Sequence, residues 1–390
     1  MRYSLLNFVE CPVSHTELVC LTTKEAPLVL PHVRHYSTAK RVNQPGAVVG
    51  PIPAFREPSE LTEALQQEAC EPADPSRNYE AMVEEGLLVS GETGRWYPIR
   101  NFIPELLPDH LRDFGRDVAF LDSIRHRLPG SILDRLKRYD QVAQDADAGA
   151  HHKLAEIRVP EKVSDPNFFG PGYISPFNPG TPDHSVFLVK SFAFCLPMIM
   201  GDGTRRVVLD AGCGYAWTTY WLMMGGFEPI GIDISRIYLD IAVARFRESV
   251  PYVLVADTEN LPLRSAAFDV VLGFDAFHHL PDRNRAMHQF DRVMKEGAEI
   301  VLMEPGREHE HSHHSREVMA LYGTLEKGMD LEDVVDYVKG TGLLKPEQHY
   351  ILKLERNKAE ALLVDKEIRE NLYMDVDSRL ISIRKARTSN

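Results

Sequence analysis

The chain has 390 residues, a length that predicts two or three domains of ordinary size. Apolar residues make up 44% and charged residues 26%, a balance that excludes a disordered chain. The 57 acidic residues outnumber the 44 basic ones, giving a formal net charge of −13. This charge disfavours nonspecific binding to nucleic acid, because phosphate contacts need a surplus of Lys and Arg. We expect neither a membrane span nor a signal peptide.

Cysteine usage indicates the redox environment. The five cysteines, at positions 11, 20, 70, 195 and 213, are too few and too scattered to predict a disulfide framework. We therefore expect reduced thiols and a cytoplasmic location. The acidic balance also fits a small or neutral substrate better than a polyanion.

Residues 1–108 predict a small β-rich domain. The segment 18–22 predicts a short strand, and two apolar segments flanking the turn-rich stretch Ser90–Gly94 predict a hairpin. Residues at about 31–80 are rich in Pro, Ala and Glu and predict an insertion with one helix near 59–68.

Four residues of this region are candidate metal ligands: Cys11, His15, Cys20 and Cys70. Structural zinc needs four nitrogen or sulfur ligands, usually in short paired spacings, and no Cys-x2-Cys pair exists here. We therefore expect cysteines that pack as small apolar side chains, and no metal site.

Residues 109–200 predict a helical connector. Its first apolar face, recurring every three or four positions, is formed by Leu111, Phe114, Val118, Leu121, Ile124 and Leu128. An aromatic loop rich in Pro and Gly at 165–180 predicts either a static linker or a lid that closes over a ligand. A helix is then expected from Pro182 to Met200.

Residues 201–390 predict an α/β domain with a doubly wound, mostly parallel sheet. Helical stretches alternate with apolar segments of strand length, at 207–210, 229–233, 252–255, 268–272 and 299–303. In such sheets, ligands bind at the carboxyl ends of the strands.

A glycine turn, Ala211–Gly214, follows the first of these strands. Glycine lets the backbone approach a ligand closely, because no Cβ intervenes. A dinucleotide fingerprint needs a third glycine at position 217, which is Trp here, and no Gly-Lys-Ser/Thr phosphate loop exists. The acid before the turn, Asp210, suits a ligand that carries an ammonium group.

The stretch Leu209–Gly214 resembles the first motif of class I S-adenosylmethionine-dependent methyltransferases, and three further motifs follow in order. They are Asp233 at the next strand end, Ala256–Pro262, and Phe268–Pro281 with its His-Leu-Pro ending. The resemblance implies a Rossmann-like seven-stranded sheet and S-adenosylmethionine as cofactor, bound without metal. It implies these cofactor-binding residues: Asp210, Gly212, Cys213, Gly214, Asp233, Ile234, Asp257, Thr258 and Asp275.

The N-terminal segments Leu5–Val13 and Tyr97–Pro104 resemble the small zinc-ribbon-like domain that partners and activates some methyltransferases. Ser14 stands where that family has its second Cys, so we expect the scaffold without its zinc. The resemblance implies either a protein partner bound through this domain or a homodimer.

Histidines after the fourth strand are the candidate catalytic groups. Methylation of a hydroxyl needs a base with a pKa near neutrality, which histidine has. His278 and His279 are adjacent, so at most one faces the acceptor, and we favour His279. Glu304, after the fifth strand, is expected to orient the acceptor or cap a turn. The run His309–His314 predicts a solvated loop at the mouth of the site, ahead of a substrate-contacting loop and, last, a metal site.

Residues 304–333 resemble methyltransferases of bacterial polysaccharide assembly, which implies a sugar hydroxyl as acceptor. The leading hypothesis is O-methylation of a sugar or another small polar hydroxyl compound by in-line methyl transfer. Two alternatives stay open: a regulatory protein that binds the cofactor and recruits a partner, and a methyltransferase acting on tRNA or a translation factor. The acidic charge and the missing Asn/Asp-Pro-Pro-Tyr/Phe signature disfavour the last.

Overall fold

One mixed sheet runs through the computed structural model, which describes residues 1–27, 47–49, 61, 64–65, 81–139, 149–162, 176–177, 182–201, 206–246, 250–349 and 378–387. Cys70 and most of the insertion predicted at about 31–80 lie outside these residues. Within the helix predicted near 59–68, the described residues 61, 64 and 65 are helical and buried. The aromatic loop at 165–180 also lies outside, apart from residues 176 and 177.

The N-terminal part of the sheet is antiparallel. Its strands are β1 (Leu18–Pro27), β2 (Ala47–Val49), β3 (Ala81–Ser90), β4 (Trp96–Arg100) and β5 (Ile103–Leu106). β3 and β4 form the predicted hairpin, and β1 pairs with both β2 and β3. The predicted β-rich domain is therefore present.

The described cysteines of this region are interior residues. Cys11 and Cys20 are fully buried, and Cys11 Sγ lies 3.1 Å from the Tyr97 hydroxyl. Burial raises the pKa of Cys20 to about 12, so its thiol stays protonated. His15 is instead partly exposed and bonded to Glu10 at 2.7 Å. Within the described ranges, these three candidates form no group that could hold a metal ion.

The second part of the sheet is Rossmann-like, as predicted. Its strands are β6 (Val207–Ala211), β7 (Glu228–Asp233), β8 (Tyr252–Ala256), β9 (Phe268–Phe274), β10 (Met294–Pro305), β11 (Glu347–His349) and β12 (Ser378–Arg384). In the described part of the chain their order is β11-β12-β10-β9-β6-β7-β8, with β12 antiparallel to its neighbours. After β8 the chain crosses β6 to continue at β9, so β6 lies at the switch point where such sheets bind ligands.

Helices connect these strands. They are α1 (Phe114–Ile124), α2 (Gly130–Leu133), α3 (Ala150–Lys162), α4 (Pro182–Met200), α5 (Trp217–Met224), α6 (Arg236–Arg245), α7 (Arg283–Val293), α8 (His313–Tyr322) and α9 (Leu331–Tyr337). The helix expected from Pro182 to Met200 is confirmed. No helix in the described ranges combines the length and apolarity needed to cross a bilayer.

The apolar face predicted over 111–128 is wrong at one position. Val118 is 41% exposed, whereas the neighbouring Asp117 is 4% exposed. Asp117 accepts hydrogen bonds from Arg112 at 2.8 Å and from Arg100 at 3.0 Å. A satisfied ion-pair network therefore takes the interior place expected for an apolar side chain.

The two parts of the sheet join where β5 pairs in parallel with β8, through Glu105–Val255 and Leu106–Ala256. Side chains reinforce the junction. Arg236 of α6 binds the carboxylate of Glu105, and the hydroxyls of Ser4 and Tyr252 hydrogen-bond at 2.7 Å. The predicted N-terminal domain and the predicted Rossmann-like domain thus share one continuous sheet.

Candidate active site

A cavity of about 620 Å³ opens at the carboxyl ends of the parallel strands. The sequence-predicted residues that line it are Gly212, Gly214, Asp233, Ile234, Asp257, Thr258, Asp275, His278, His279 and Glu304. Two predicted residues, Asp210 and Cys213, do not line it. The fold therefore brings most of the predicted cofactor-binding and catalytic residues to one place.

Gly212 and Gly214 play different parts in the turn after β6. Both have positive φ, +80° and +50°, a conformation that favours glycine. A Cβ on Gly212 would lie 2.4 Å from the Cβ of Ala276, so this glycine permits close packing. A Cβ on Gly214 would meet nothing within 4 Å in the described structure. The turn therefore presents bare backbone to the cavity at Gly214.

Asp210 differs from the sequence-based expectation of a ligand contact. Its side chain is 1% exposed, and Oδ2 accepts hydrogen bonds from Thr218 at 2.7 Å and Thr219 at 2.6 Å. Burial raises the pKa of Asp210 to about 6, although the two hydroxyls oppose this shift. Through these hydrogen bonds, Asp210 holds the start of α5 against the end of β6. Cys213 is also buried, packed against Gly231.

Asp233 ends β7 with its side chain in the cavity wall. Oδ2 accepts a hydrogen bond from Gly214 N at 2.9 Å, and Oδ1 accepts one from Ser235 N at 2.8 Å. Burial raises the pKa of Asp233 to about 6, against the effect of these two backbone donors. The carboxylate is thus fixed in direction, and its remaining lone pairs can accept hydrogen bonds from a ligand.

Asp257 follows β8 and belongs to a buried ion-pair network. Lys153 of α3 contacts Asp257 at 2.9 Å and Glu259 at 2.5 Å, with all three side chains at most 3% exposed. Burial alone lowers the pKa of Lys153, but the two carboxylates raise it above its ordinary value. Lys153 therefore carries a positive charge into this end of the cavity.

Asp275 follows β9 with φ +54°, an uncommon conformation for a residue other than glycine. Its N–H donates to the Met303 carbonyl at 2.8 Å, and the chain then enters the 3-10 turn Phe277–His279. Local strain of this kind concentrates at functional sites, and here it directs the histidine-bearing turn towards the cavity.

Glu304, at the end of β10, organises this turn. It is 1% exposed and accepts hydrogen bonds from the backbone N–H groups of residues 276–278 at 2.9 to 3.2 Å. Nδ1 of His278 donates to it at 2.8 Å. Burial raises the pKa of Glu304, but these donors hold it below its ordinary value. Glu304 therefore fixes both the backbone and the first histidine of the turn.

The two adjacent histidines differ in accessibility. His278 is 3% exposed, with Nε2 3.6 Å from Glu326, whereas His279 is 31% exposed. Nδ1 of His279 lies 2.6 Å from the Leu325 carbonyl oxygen, 3.4 Å from Glu156 and 3.8 Å from Glu326. Burial lowers the pKa of His279, but these carboxylates prevail and raise it to about 10. The more accessible histidine is the one favoured from the sequence.

The run His309–His314 forms the 3-10 turn Arg307–His311 and the start of α8 rather than the predicted loop. His311 and His313 are 64% and 97% exposed, as expected of a solvated segment. His309 and His314, by contrast, line the cavity. Nε2 of His309 lies 2.9 Å from Glu326.

Several lining residues were not predicted: Lys153, Glu156, Tyr215, Tyr238 and Glu326. Lys153 and Glu156 are three positions apart on α3, a spacing that places both on one side of a helix. This spacing was the available signal for them. Glu326 lies between α8 and α9, within the segment 304–333 that resembles polysaccharide-assembly methyltransferases, but that resemblance did not single it out.

Two family models match the chain. The model described as methyltransferase domain matches residues 209–302, and the model described as Trm112p-like protein matches residues 2–101. The first covers β6 to most of β10, including Asp233 and Glu259, and the second covers β1 to β4.

Relatives named as methyltransferases match part of the chain. A Mycolicibacterium smegmatis protein named as a probable S-adenosylmethionine-dependent methyltransferase is 28% identical over 44% of this chain and 70% of its own. The 27-O-demethylrifamycin SV methyltransferase of Amycolatopsis mediterranei is 32% identical over 30% of this chain and 43% of its own. For several other relatives the chain spans only 36% or 37% of their length.

A solved complex of the Haloferax volcanii Trm112 methyltransferase activator with a methyltransferase is also similar. It has 18% sequence identity and a TM-score of 0.40, covering 53% of this chain and 93% of the matched chain.

By the two family models, the chain contains a Trm112p-like domain in residues 2–101 and, in residues 209–302, a methyltransferase domain related to those of S-adenosylmethionine-dependent methyltransferases.

Proposed function

We propose that this protein is an S-adenosylmethionine-dependent methyltransferase that methylates a hydroxyl oxygen of a sugar or another small polar acceptor. The observation that carries the proposal is one cavity with two chemically different ends. The cofactor end contains the open turn at Gly214 and the fixed carboxylate of Asp233. The acceptor end contains His278, His279 and Glu304.

The cofactor end fits S-adenosylmethionine. Gly214 leaves room for the cofactor beside the backbone, and Asp233 is placed to accept hydrogen bonds from the ribose hydroxyls. Asp257 and Thr258 line the part assigned to the adenine. The bound cofactor supplies a methyl group already activated by its sulfonium, so the main task of these residues is alignment.

The acceptor end supplies a base. A hydroxyl loses its proton as its oxygen takes the methyl group, and a positioned side chain must receive that proton. We assign this role to the neutral form of His279, because it lines the cavity and is the more accessible of the two histidines. Its pKa of about 10 keeps most of the imidazole protonated near pH 7, so methyl transfer should become faster as the pH rises towards 10. Glu304 acts as a positioning residue through His278 and the turn. An oxygen acceptor also agrees with the name of the relative that acts on 27-O-demethylrifamycin SV.

We also propose a division into an activator-type domain (1–108), a connector (109–200) and a methyltransferase domain (201–390), with the first serving the last within one chain. The pairing of β5 with β8 supports this arrangement. The N-terminal domain then acts as the activator of the methyltransferase domain within the same chain, in place of a separate partner protein. A cytoplasmic location is supported by the four described cysteines, which are buried and not in disulfides.

A second candidate is methylation of tRNA or a translation factor, because a Trm112p-like domain is present. The net charge of −13 counts against a polyanionic substrate. A purely regulatory role requires only the cofactor end of the cavity. It assigns no function to His278, His279 and Glu304 at the acceptor end.

Incubation with methyl-labelled S-adenosylmethionine separates these functions. We expect the label in a small hydroxyl compound when pooled sugars and metabolites are supplied, with a mass gain of one methyl group. Label in bulk tRNA or protein would favour the second candidate instead. Cofactor binding with no transfer to any of these pools would favour the regulatory role.

A further inference from the structure

Histidine and glutamate side chains gather at the acceptor end of the cavity: His278, His279, His309, Glu156 and Glu326. We propose that His278, His279 and Glu326 bind a divalent transition-metal ion of the Zn²⁺ type. One nitrogen or oxygen atom of each lies within 4.8 Å of the others. These residues come from two separate segments, so the fold and not a sequence motif creates the set.

The distances within this set approach those around a metal ion. Ligands bonded to tetrahedral zinc at about 2.0 to 2.2 Å lie about 3.4 Å from one another. Glu326 lies 3.6 Å from Nε2 of His278 and 3.8 Å from Nδ1 of His279. Small side-chain rotations would therefore bring the three ligand atoms to the spacing found around zinc. In the metal-bound site, a bond from Nδ1 of His279 to the metal ion replaces its hydrogen bond to the Leu325 carbonyl oxygen.

Hydrogen bonds orient two of the three ligands. Glu304 accepts from Nδ1 of His278 at 2.8 Å, which directs Nε2 towards Glu326, 3.6 Å away, where a metal ion would take the place of the Nε2 proton. A carboxylate behind a ligating imidazole is the usual support of a metal-bound histidine. His309 Nε2 meets the Glu326 carboxylate at 2.9 Å and holds it from the other side.

A further carboxylate, that of Glu156, lies beside His279 in an ion pair. Oε1 of Glu156 is buried and accepts no hydrogen bond in the described structure, although it lies 3.4 Å from Nδ1 of His279. It is placed to be a further ligand or to accept a proton from a molecule bound to the ion. Because imidazole nitrogens provide two of the ligands, the site favours Zn²⁺-like ions over Mg²⁺ and Ca²⁺, which prefer oxygen.

The role of the ion rests on the proposed function, but its binding does not. A metal ion held by His278, His279 and Glu326 would supply Lewis acidity that lowers the pKa of an acceptor hydroxyl bound to it, as it does for bound water. His279 is then a ligand in the metal-loaded protein and the proton acceptor in the metal-free protein. Metal binding and cofactor binding are measured separately, so either proposal can fail alone.

Equilibrium dialysis of the chelator-treated full chain against Zn²⁺, followed by metal analysis, tests the site. We expect one tightly bound ion per chain, and a visible absorption spectrum of tetrahedral type when Co²⁺ replaces Zn²⁺. Glu326→Gln and His279→Ala should each weaken binding at least tenfold, and Glu304→Gln by about 10- to 100-fold. The matched control is the double variant His311→Ala/His313→Ala, which removes two exposed histidines of the same run and should leave the affinity unchanged.

Three results would overturn the proposal: no bound ion in the wild-type chain, unchanged affinity in Glu326→Gln and His279→Ala, or an equal loss in the control. Calorimetry with S-adenosylhomocysteine on the same variants checks that they are folded. Retained cofactor-product binding with lost Zn²⁺ binding supports the metal site. Failure of the wild-type chain to bind the product would count against the proposed function, whatever the zinc result.

Discussion

The two ends of the cavity are built in different ways. At the cofactor end, the turn at Gly214 and the carboxylate of Asp233 follow directly from strand ends and are held by backbone hydrogen bonds. At the acceptor end, Glu156, His279 and Glu326 come from segments far apart in the chain and meet through side chains. The cofactor end is therefore fixed by the sheet itself. The acceptor end depends on how the connecting segments pack over it, so it can diversify while the sheet stays the same.

Lys153 lies on α3, in the connector, and pairs with Asp257 and Glu259 at the cofactor end. Replacing Lys153 should therefore have the largest effect on the free energy of unfolding. Lys153→Met leaves Asp257 and Glu259 buried without a cation, which should lower the free energy of unfolding by about 3 to 5 kcal/mol. Urea denaturation measures this loss. Lys339→Met, at an exposed lysine, is the control and should change little. Equal stability of the two variants would mean that α3 does not support the cofactor end.

Asp233→Ala tests the cofactor end alone. Charge-assisted hydrogen bonds contribute about 1.5 to 3 kcal/mol, so the affinity for S-adenosylhomocysteine should fall by about 10- to 150-fold. Isothermal titration calorimetry measures the change, with Asp336→Ala, at an exposed acid, as the control. If Asp233→Ala binds as tightly as the wild-type chain at the same melting temperature, the ribose site has been misplaced.

The pH dependence of S-adenosylhomocysteine binding tests whether Asp233 binds the ribose hydroxyls. Its pKa of about 6 means that the carboxylate, which must be ionised to accept two hydroxyl hydrogen bonds, is mostly protonated at pH 5. Affinity should therefore rise about tenfold between pH 5 and pH 7. The charged groups that affect this carboxylate are Glu156, which raises its pKa, and His279, which lowers it.

Asp233→Asn should remove this pH dependence. Asp210 also has a pKa of about 6, so a tenfold rise that persists in Asp233→Asn would assign the titration to Asp210 instead.

Metal removal should have the smallest effect at the cofactor end. Because His278, His279 and Glu326 lie at the acceptor end, chelator treatment should change the affinity for S-adenosylhomocysteine less than about twofold, well under the 1.4 kcal/mol that corresponds to one decade. Calorimetry before and after dialysis against a chelator checks this. A large loss of affinity would show that the two ends are not independent.

The positions of the residues that we assign to the cofactor end could be predicted from the sequence, because they follow strands whose apolar runs are easily identified. The sequence did not predict that Thr218 and Thr219 donate hydrogen bonds to Asp210, because nothing local in it indicates these contacts. The acceptor end was predicted only at the turn after β9 and at Glu304. Glu156 and Glu326 reach it through tertiary packing, which neither apolar periodicity nor motif spacing encodes. The proposed metal set was not predicted for the same reason. The sequence drew attention to the histidine-rich run 309–314, in which His311 and His313 are exposed to solvent.

The strand pairing between the two domains affects how the chain can be divided. Leu106 of β5 pairs with Ala256, the residue immediately before Asp257. The strand that follows the Trm112p-like region therefore supports β8, which leads to the acid that we propose lies beside the adenine. Without β5, the backbone N–H and C=O groups along that side of β8 would form an exposed edge, which invites pairing with other chains. A truncated chain that begins after residue 108 is therefore expected to aggregate. β5 therefore covers an otherwise open sheet edge in addition to supporting the strand that precedes Asp257.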